Sequence, residues 1–261
     1  MPENPAPIFA PVEPDAPQEQ PSVWSRMANV IAAPGEAFDG IAALEKKTTL
    51  WLVPLLITIV LSMGLGAVMF SNPAMMQKMR QTAEKQMEEK VKEGKISQAD
   101  ADKYMEMQEG GRFMKVMGLV GAAIGVPLML AIVAVVMFLV MSFVLGADIN
   151  FIDVFVVVAL AGVVSMLETL VTGSLQYATG DFNAQPNLAF LYSGDNTYLH
   201  MTLLRLNPFS FWWIAVMGIG FSKVSNITSR KAMLGVLGVW LLFSGAMIGM
   251  SGLSFLQTMS K

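Results

Sequence analysis

The chain alternates between long apolar segments and polar stretches. An α-helix rises about 1.5 Å per residue, so some ~20 apolar residues cross the roughly 30 Å hydrocarbon core of a bilayer. Segments of this length predict transmembrane helices, because a helix satisfies its own backbone hydrogen bonds where water is absent. The pattern predicts an all-α membrane helix bundle with about five spans, at 50–70, 116–146, 151–175, 208–224 and 232–256.

The predicted spans differ in length and in how they are joined. Segment 116–146 exceeds one straight crossing, so we expect it to tilt, to kink at Pro127 or to begin outside the lipid. The fourth segment is short, and Asn207 followed by Pro208 predicts a helix N-cap and a first-turn proline. The polar link before it, about 172–207, is expected to be an irregular loop.

Two regions precede the first span. Residues 1–22 hold seven prolines and four acids but no Lys or Arg, which predicts a disordered tail. Residues 23–45 carry apolar side chains at helical spacing on both sides of Pro34. We expect one or two short helices in the membrane interface, or alternatively a helix packed on the bundle. The apolar positions are Trp24, Met27, Val30, Ile31, Phe38, Ile41 and Leu44.

Residues 71–115 are the largest stretch outside the predicted spans. Nine Lys or Arg residues stand against eight acids, so a solvated charged face is expected rather than a binding patch. Helix formers dominate from Pro73, Gly94 interrupts them, and Ser97 with Asp100 resembles the start of a second helix. The pattern predicts a polar helical hairpin outside the membrane.

Composition narrows the class of protein. The chain is 54% hydrophobic and 14% charged, with a mean hydropathy of +0.54, whereas soluble domains carry about 25% charged residues. A net charge of −3 gives no basic field for nucleic acid. There is no cysteine, and the single histidine, His200, excludes a multi-histidine metal site. We predict no nucleic-acid partner, no metal and no cofactor.

The distribution of Lys and Arg gives two answers for orientation. Six lie on the N-terminal side of the predicted spans and eleven on the other side, which taken literally places the N-terminus outside. Nine of the eleven belong to the hairpin, whose charges nearly cancel, and leaving them out gives six against two. We therefore expect a cytoplasmic N-terminus.

Few polar residues within the spans could support chemistry. Glu168 lies inside an apolar segment, where ionisable residues are candidates for transport pathways, but its place near the segment's end also lets it reach headgroups. Asp153, one turn into its segment, is expected to compensate the helix dipole. No motif supports an aspartyl pair among Asp148, Asp153 and Asp195, and no nucleophile elbow accompanies His200. We expect no enzymatic activity.

Glycines repeat at four-residue spacing in two of the predicted spans. Gly121 and Gly125 lie in the second span, and Gly245 and Gly249 lie in the fifth. Small residues at this spacing let helix backbones approach closely in lipid. They indicate close helix packing, either within the bundle or through self-association.

Several short motifs follow one another in a characteristic order. APGEAF at 33–38 precedes WLVP at 51–54, and INFID at 149–153 opens the third span. NPFSFWW at 207–213 opens the fourth span and is followed by GIGF at 218–221 and a short basic link. This order resembles bacterial members of the Yip1 family.

The resemblance covers roughly 24–256. It implies five transmembrane helices, a cytoplasmic N-terminus and a short C-terminus on the far side. Eukaryotic relatives act in vesicle trafficking and associate with prenylated small GTPases and with each other. Their long N-terminal region is replaced here by a short proline-rich tail, which puts small-GTPase binding in doubt.

Two functions from different classes stay open on the sequence. The preferred one is a non-enzymatic membrane organiser or adaptor in the bacterial inner membrane, which contacts lipids, other membrane proteins or a second copy of itself. The alternative is a small transporter or channel. Its indications are Glu168, Pro127 and the short fourth span, and no internal repeat supports it.

Overall fold

The chain folds into a bundle of helices. The computed structural model describes residues 20–259 apart from 110, 111, 193 and 195, and this part contains helices but no strand. The predicted tail, 1–22, lies almost entirely outside the described residues. The α-helices are α1 (Val23–Ala32), α2 (Pro34–Ala37), α3 (Thr48–Phe70), α4 (Pro73–Lys92), α5 (Gln98–Glu109), α6 (Arg112–Leu139), α7 (Phe151–Thr179), α8 (Thr197–Arg205), α9 (Pro208–Val224) and α10 (Ser229–Met259).

Four helices of the described part are long and apolar enough to cross a membrane. They are α3, α6 with the π-helical turn Val140–Val144 that continues it, α7, and α10 as far as Gly249. Helix α9 is equally apolar in character, but its 17 residues reach only about 26 Å. The predicted all-α membrane bundle is confirmed. The expected number of spans, about five, is close to the observed four long apolar helices and the shorter α9.

Helix α7 occupies the centre of the bundle. It contacts α3, α6 and α9, and α1 packs against it as well. Its first half is a nearly continuous buried aliphatic run from Val154 to Val164. Trp51 of α3 packs edge-on against Phe155, with ring centroids 5.2 Å apart. A helix that is apolar all round is typical of one surrounded by other helices, and α7 has that position.

The amphipathic region before α3 forms two short helices that pack on the bundle. Helix α1 contacts α7, and α2 contacts α9. The spacing of Phe38, Ile41 and Leu44 indicated helix, but α2 ends at Ala37. Gly40 has a φ of +69°, a left-handed conformation that a right-handed helix cannot continue through. Phe38 and Ile41 are instead buried from within a series of turns.

Helices α4 and α5 form the polar hairpin expected between the first two spans. The Oδ1 atom of Asn72 accepts a hydrogen bond from the N–H of Ala74 at 3.0 Å and caps α4. Gly94, with a φ of +68°, follows the end of α4. The Oγ atom of Ser97 accepts a hydrogen bond from the N–H of Asp100 at 3.1 Å, as the capping motif predicted.

The link between α7 and α9 is more regular than expected. Helix α7 continues to Thr179 and ends at Gly180, whose φ is +62°. The prediction of an irregular loop over about 172–207 is wrong for both the end of α7 and all of α8. Asn196 starts α8 by accepting a hydrogen bond from the N–H of Leu199 at 3.0 Å. A helix of nine residues that packs on α10 is too short to give a clear periodic signal.

Candidate functional site

A buried arginine holds the first two helices together. Arg26 of α1 is 0% exposed, and its Nη1 atom donates to the carbonyl oxygens of Ala37 at 2.9 Å and Asp39 at 2.8 Å. Burial lowers the pKa of Arg26, and the nearby carboxylate of Asp39 acts in the opposite direction. The guanidinium supplies donors to carbonyls where α2 ends, and it fixes the angle between the two helices.

An ion pair joins the start of α3 to the start of α7. Lys47 and Asp153 are in direct contact, and their side chains are only 9% and 2% exposed. The Nζ atom of Lys47 also donates to the carbonyl of Ala42 at 3.2 Å. Asp153 lies in the first turn of α7, as the helix-dipole argument required. Its main partner is the Lys47 ammonium, which reasoning from the sequence missed.

Polar contacts continue across this end of the bundle, which we call the N-terminal side. Asp39 accepts a hydrogen bond from Lys223 of α9 at 2.7 Å. Lys231 of α10 donates to the carbonyl of Leu145, at the end of the π-helical turn, at 2.6 Å. The helix ends and the two short helices are therefore tied to one another on this side.

Glu168 has a partner and lines a groove. Its Oε1 atom accepts a hydrogen bond at 2.5 Å from the Nδ2 atom of Asn207. The same Asn207 caps α9 through the N–H of Phe209, at 2.9 Å, so one side chain joins α7 to α9. Glu168 lies on a cavity of about 400 Å³ between α3 and α7. The other polar residues of this cavity are Ser62, Thr169, Thr172, Gln176 and Gln185.

No aspartyl pair is formed among the described residues by the three aspartates that the sequence offered as candidates. Asp153 is bound to Lys47, Asp148 lies in the exposed turn before α7, and Asp195 is outside the described part. His200 lies in α8, where its ring is 6.5 Å from that of Tyr192. No group of three His, Asp or Glu side chains that could hold a metal is present among the described residues.

The glycines of the two GxxxG motifs face away from the rest of the bundle. All four are exposed, and a Cβ atom built on any of them meets no described atom within 4 Å beyond its own helix. Close packing within the described bundle occurs instead at Gly218, where a Cβ atom would lie 2.2 Å from Cγ of Met233. The option of internal packing therefore fails for Gly121, Gly125, Gly245 and Gly249, and self-association stays a prediction.

A helical bundle with several membrane-crossing helices around a buried central one defines a multi-pass integral membrane protein. The family model described as the Yip1 domain matches residues 28–250, nearly the whole chain. The protein belongs to the Yip1 family. No curated protein and no solved structure matches the chain.

Proposed function

We propose that the protein is a non-enzymatic membrane organiser or adaptor, which acts through helix–helix and lipid contacts in the bacterial inner membrane. The observation that carries this proposal is the contrast between the interior and the surface of the bundle. The interior around α7 is filled by aliphatic side chains from Val154 to Val164. The surface presents two glycine faces on α6 and α10 that nothing in the described chain covers.

The glycine face of α6 is shaped for close approach by another helix. Gly121 and Gly125 lie on one side of the helix with Ile124 and Leu128, which are 62% and 57% exposed. Positions three, four and seven apart share one helix face. In lipid, such a groove between larger side chains supports association through van der Waals contact. The partner is a second copy of the chain or another membrane protein.

Helix α1 supports a lipid contact on the N-terminal side. It buries Arg26 and Val30 towards the bundle, and it turns Trp24 and Ile31, 64% and 44% exposed, away from it. Trp24 and Ile31 are seven residues apart and so lie on one face. An indole beside an aliphatic side chain suits the boundary between headgroups and acyl chains.

The test of the organiser role is association in vesicles. Single-molecule fluorescence counting of labelled protein, at several protein-to-lipid ratios, measures the fraction in complexes. The double substitution Gly121→Leu and Gly125→Leu is expected to abolish association through α6. Ala123→Leu, on the same helix but turned away from the glycines, is the matched control and is expected to change nothing. A wild-type chain that stays monomeric at every density, with no membrane partner captured by crosslinking, would contradict the proposal.

The transporter alternative is favoured by one observation, the polar groove that contains Glu168. The groove lies on one side of the filled core and does not continue along α7 towards Val154. Solute or proton flux into liposomes, lost in Glu168→Gln, would support transport over the organiser role.

The proposed orientation places the N-terminus in the cytoplasm, as the count of Lys and Arg outside the hairpin favours. The chain has no cysteine, so single substitutions can be labelled selectively. An impermeant maleimide applied to intact cells stripped of their outer membrane is expected to label Gln98→Cys in α5 but not Ser25→Cys in α1. The reverse pattern would establish the opposite orientation.

A further inference from the structure

A cleft lies at the end of the bundle opposite α1, between α8 and the far part of α10. It has a volume of about 800 Å³, within the usual range for sites that hold small molecules. One wall is apolar, formed by Leu175 of α7 and Met247 and Ile248 of α10. The rest of the lining comes from the link 181–190 and from α8, which contributes His200 and Arg205 among others. The cleft is therefore amphipathic, with the guanidinium of Arg205 and the ring of His200 on one side and an apolar wall on the other.

Arg205 is a charged side chain of this cleft without a partner among the described residues. It is half-buried in the last turn of α8, and among the described residues it makes no ion pair and no side-chain hydrogen bond. The acid in the cleft is Asp181, and its Oδ1 atom already accepts from the backbone N–H of Asn183 at 3.0 Å and from the side-chain amide of Asn183 at 3.3 Å. A guanidinium presents several donors in a fixed plane that match a phosphate.

The depth of the cleft matches the boundary of a bilayer. Met247 lies 18 residues beyond Ser229, the first residue of α10, which corresponds to about 27 Å along the helix. That distance is close to the hydrocarbon thickness of roughly 30 Å. The apolar wall therefore ends at the level of the acyl chains, and the polar wall of α8 lies at the level of the headgroups.

We propose that this cleft binds the phosphate group of an anionic phospholipid from the leaflet opposite α1. Arg205 donates to the phosphate oxygens, and His200 lines the same cleft. The acyl chains follow Leu175, Met247 and Ile248 into the bilayer. Met247 lies on a face of α10 other than that of Gly245 and Gly249, whereas Ile248, three residues beyond Gly245, borders the glycine face. Lipid binding is therefore tested with variants of α8, which leave the glycines of α10 unchanged.

The test uses the full chain, purified in a neutral detergent and titrated with phosphatidylglycerol or phosphatidylcholine while native mass spectrometry counts the bound lipid. Wild-type protein is expected to prefer phosphatidylglycerol. Arg205→Gln is expected to weaken that binding about tenfold, the effect of losing a charge-assisted hydrogen bond. Arg230→Gln is the matched control, because Arg230 is exposed at the start of α10 on the N-terminal side.

A second variant keeps the charge and removes the space. Leu204→Trp fills the cleft from α8 and leaves Arg205 in place. It is expected to reduce phosphatidylglycerol binding, and it tests the proposal if Arg205→Gln does not fold. Equal binding by the wild type and both variants would overturn the proposal. Inorganic phosphate that displaces the lipid at equal concentration would also overturn it, because the site would then belong to a soluble anion.

Discussion

The ion pair between Lys47 and Asp153 offers the sharpest test of how the bundle is held together. Neither charge can be solvated in place, because the side chains are 9% and 2% exposed. With Asp153 replaced by Leu, the ammonium of Lys47 keeps one hydrogen-bond acceptor among the described residues, the carbonyl oxygen of Ala42 at 3.2 Å. With Lys47 replaced by Met, the carboxylate keeps a long contact of 3.5 Å with the amide of Asn150. Each single substitution leaves a buried charge without its counterion.

The expected energies follow from that burial. Removing one partner of a buried pair costs about 3–5 kcal/mol, whereas replacing both partners by apolar side chains of similar volume is close to neutral. Lys47→Met and Asp153→Leu should therefore each lower the free energy of unfolding by several kcal/mol. The double variant should lie within about 2 kcal/mol of the wild type. The coupling energy from the four proteins is then expected to exceed about 2 kcal/mol.

The assay is unfolding by sodium dodecyl sulfate in mixed micelles, followed by tryptophan fluorescence. Trp51 is a suitable reporter because it packs against Phe155, two residues beyond Asp153. The exposed pair of Lys223 and Asp39 is the control, with side chains 41% and 54% exposed, and its coupling should stay below about 1 kcal/mol. Single substitutions at Lys47 and Asp153 whose effects simply add would refute the reasoning.

Three further substitutions test separate contacts. Arg26→Ala removes the guanidinium from the backbone carbonyls that accept hydrogen bonds from it, and it should cost about 3 kcal/mol in the same unfolding assay. Gly218→Ala puts a Cβ atom 2.9 Å from Cα of Met233, so α9 and α10 must separate, at a cost of about 1–3 kcal/mol. Asn207→Asp keeps an acceptor for the cap of α9 but removes the donor to Glu168, and it should destabilise the protein more than Asn207→Ser does.

Each of these predictions has an outcome that would count against it. A stable Arg26→Ala protein would mean that water replaces the guanidinium. Gly64 is an exposed helical glycine with open space around it, so Gly64→Ala is the control for Gly218→Ala. Equal stability of the Asp and Ser variants at position 207 would show that Glu168 does not depend on the Asn207 amide.

The parts of the fold that depend on local sequence could be predicted. The start of α9 at Pro208 follows from the Asn207–Pro208 pair, which needs no information from the rest of the chain. The long spans follow from apolar length alone. The hairpin follows from caps and from a glycine between its helices, which also act over a few residues.

The parts that depend on distant partners could not be predicted. Lys47 and Asp153 are 106 positions apart, and nothing local marks them as a pair, although Lys47 precedes the first predicted span and Asp153 lies one turn inside the third, at the same end of the bundle. Which glycines pack is likewise decided by the neighbouring helix, so the regular GxxxG spacing at Gly121 gave no guide to the close approach at Gly218. The turn at Gly40 shows the same limit, because apolar spacing cannot report a left-handed φ.

The shortness of α9 has a consequence for the surrounding membrane. Its 17 residues reach about 26 Å, while the 29 residues of α7 beside it reach about 44 Å. A hydrophobic helix shorter than the bilayer core is accommodated by local thinning, at a cost that grows with each ångström of mismatch. We expect the two leaflets to lie closer together beside α9 than beside α7, and membranes of smaller thickness to accommodate the protein with less deformation.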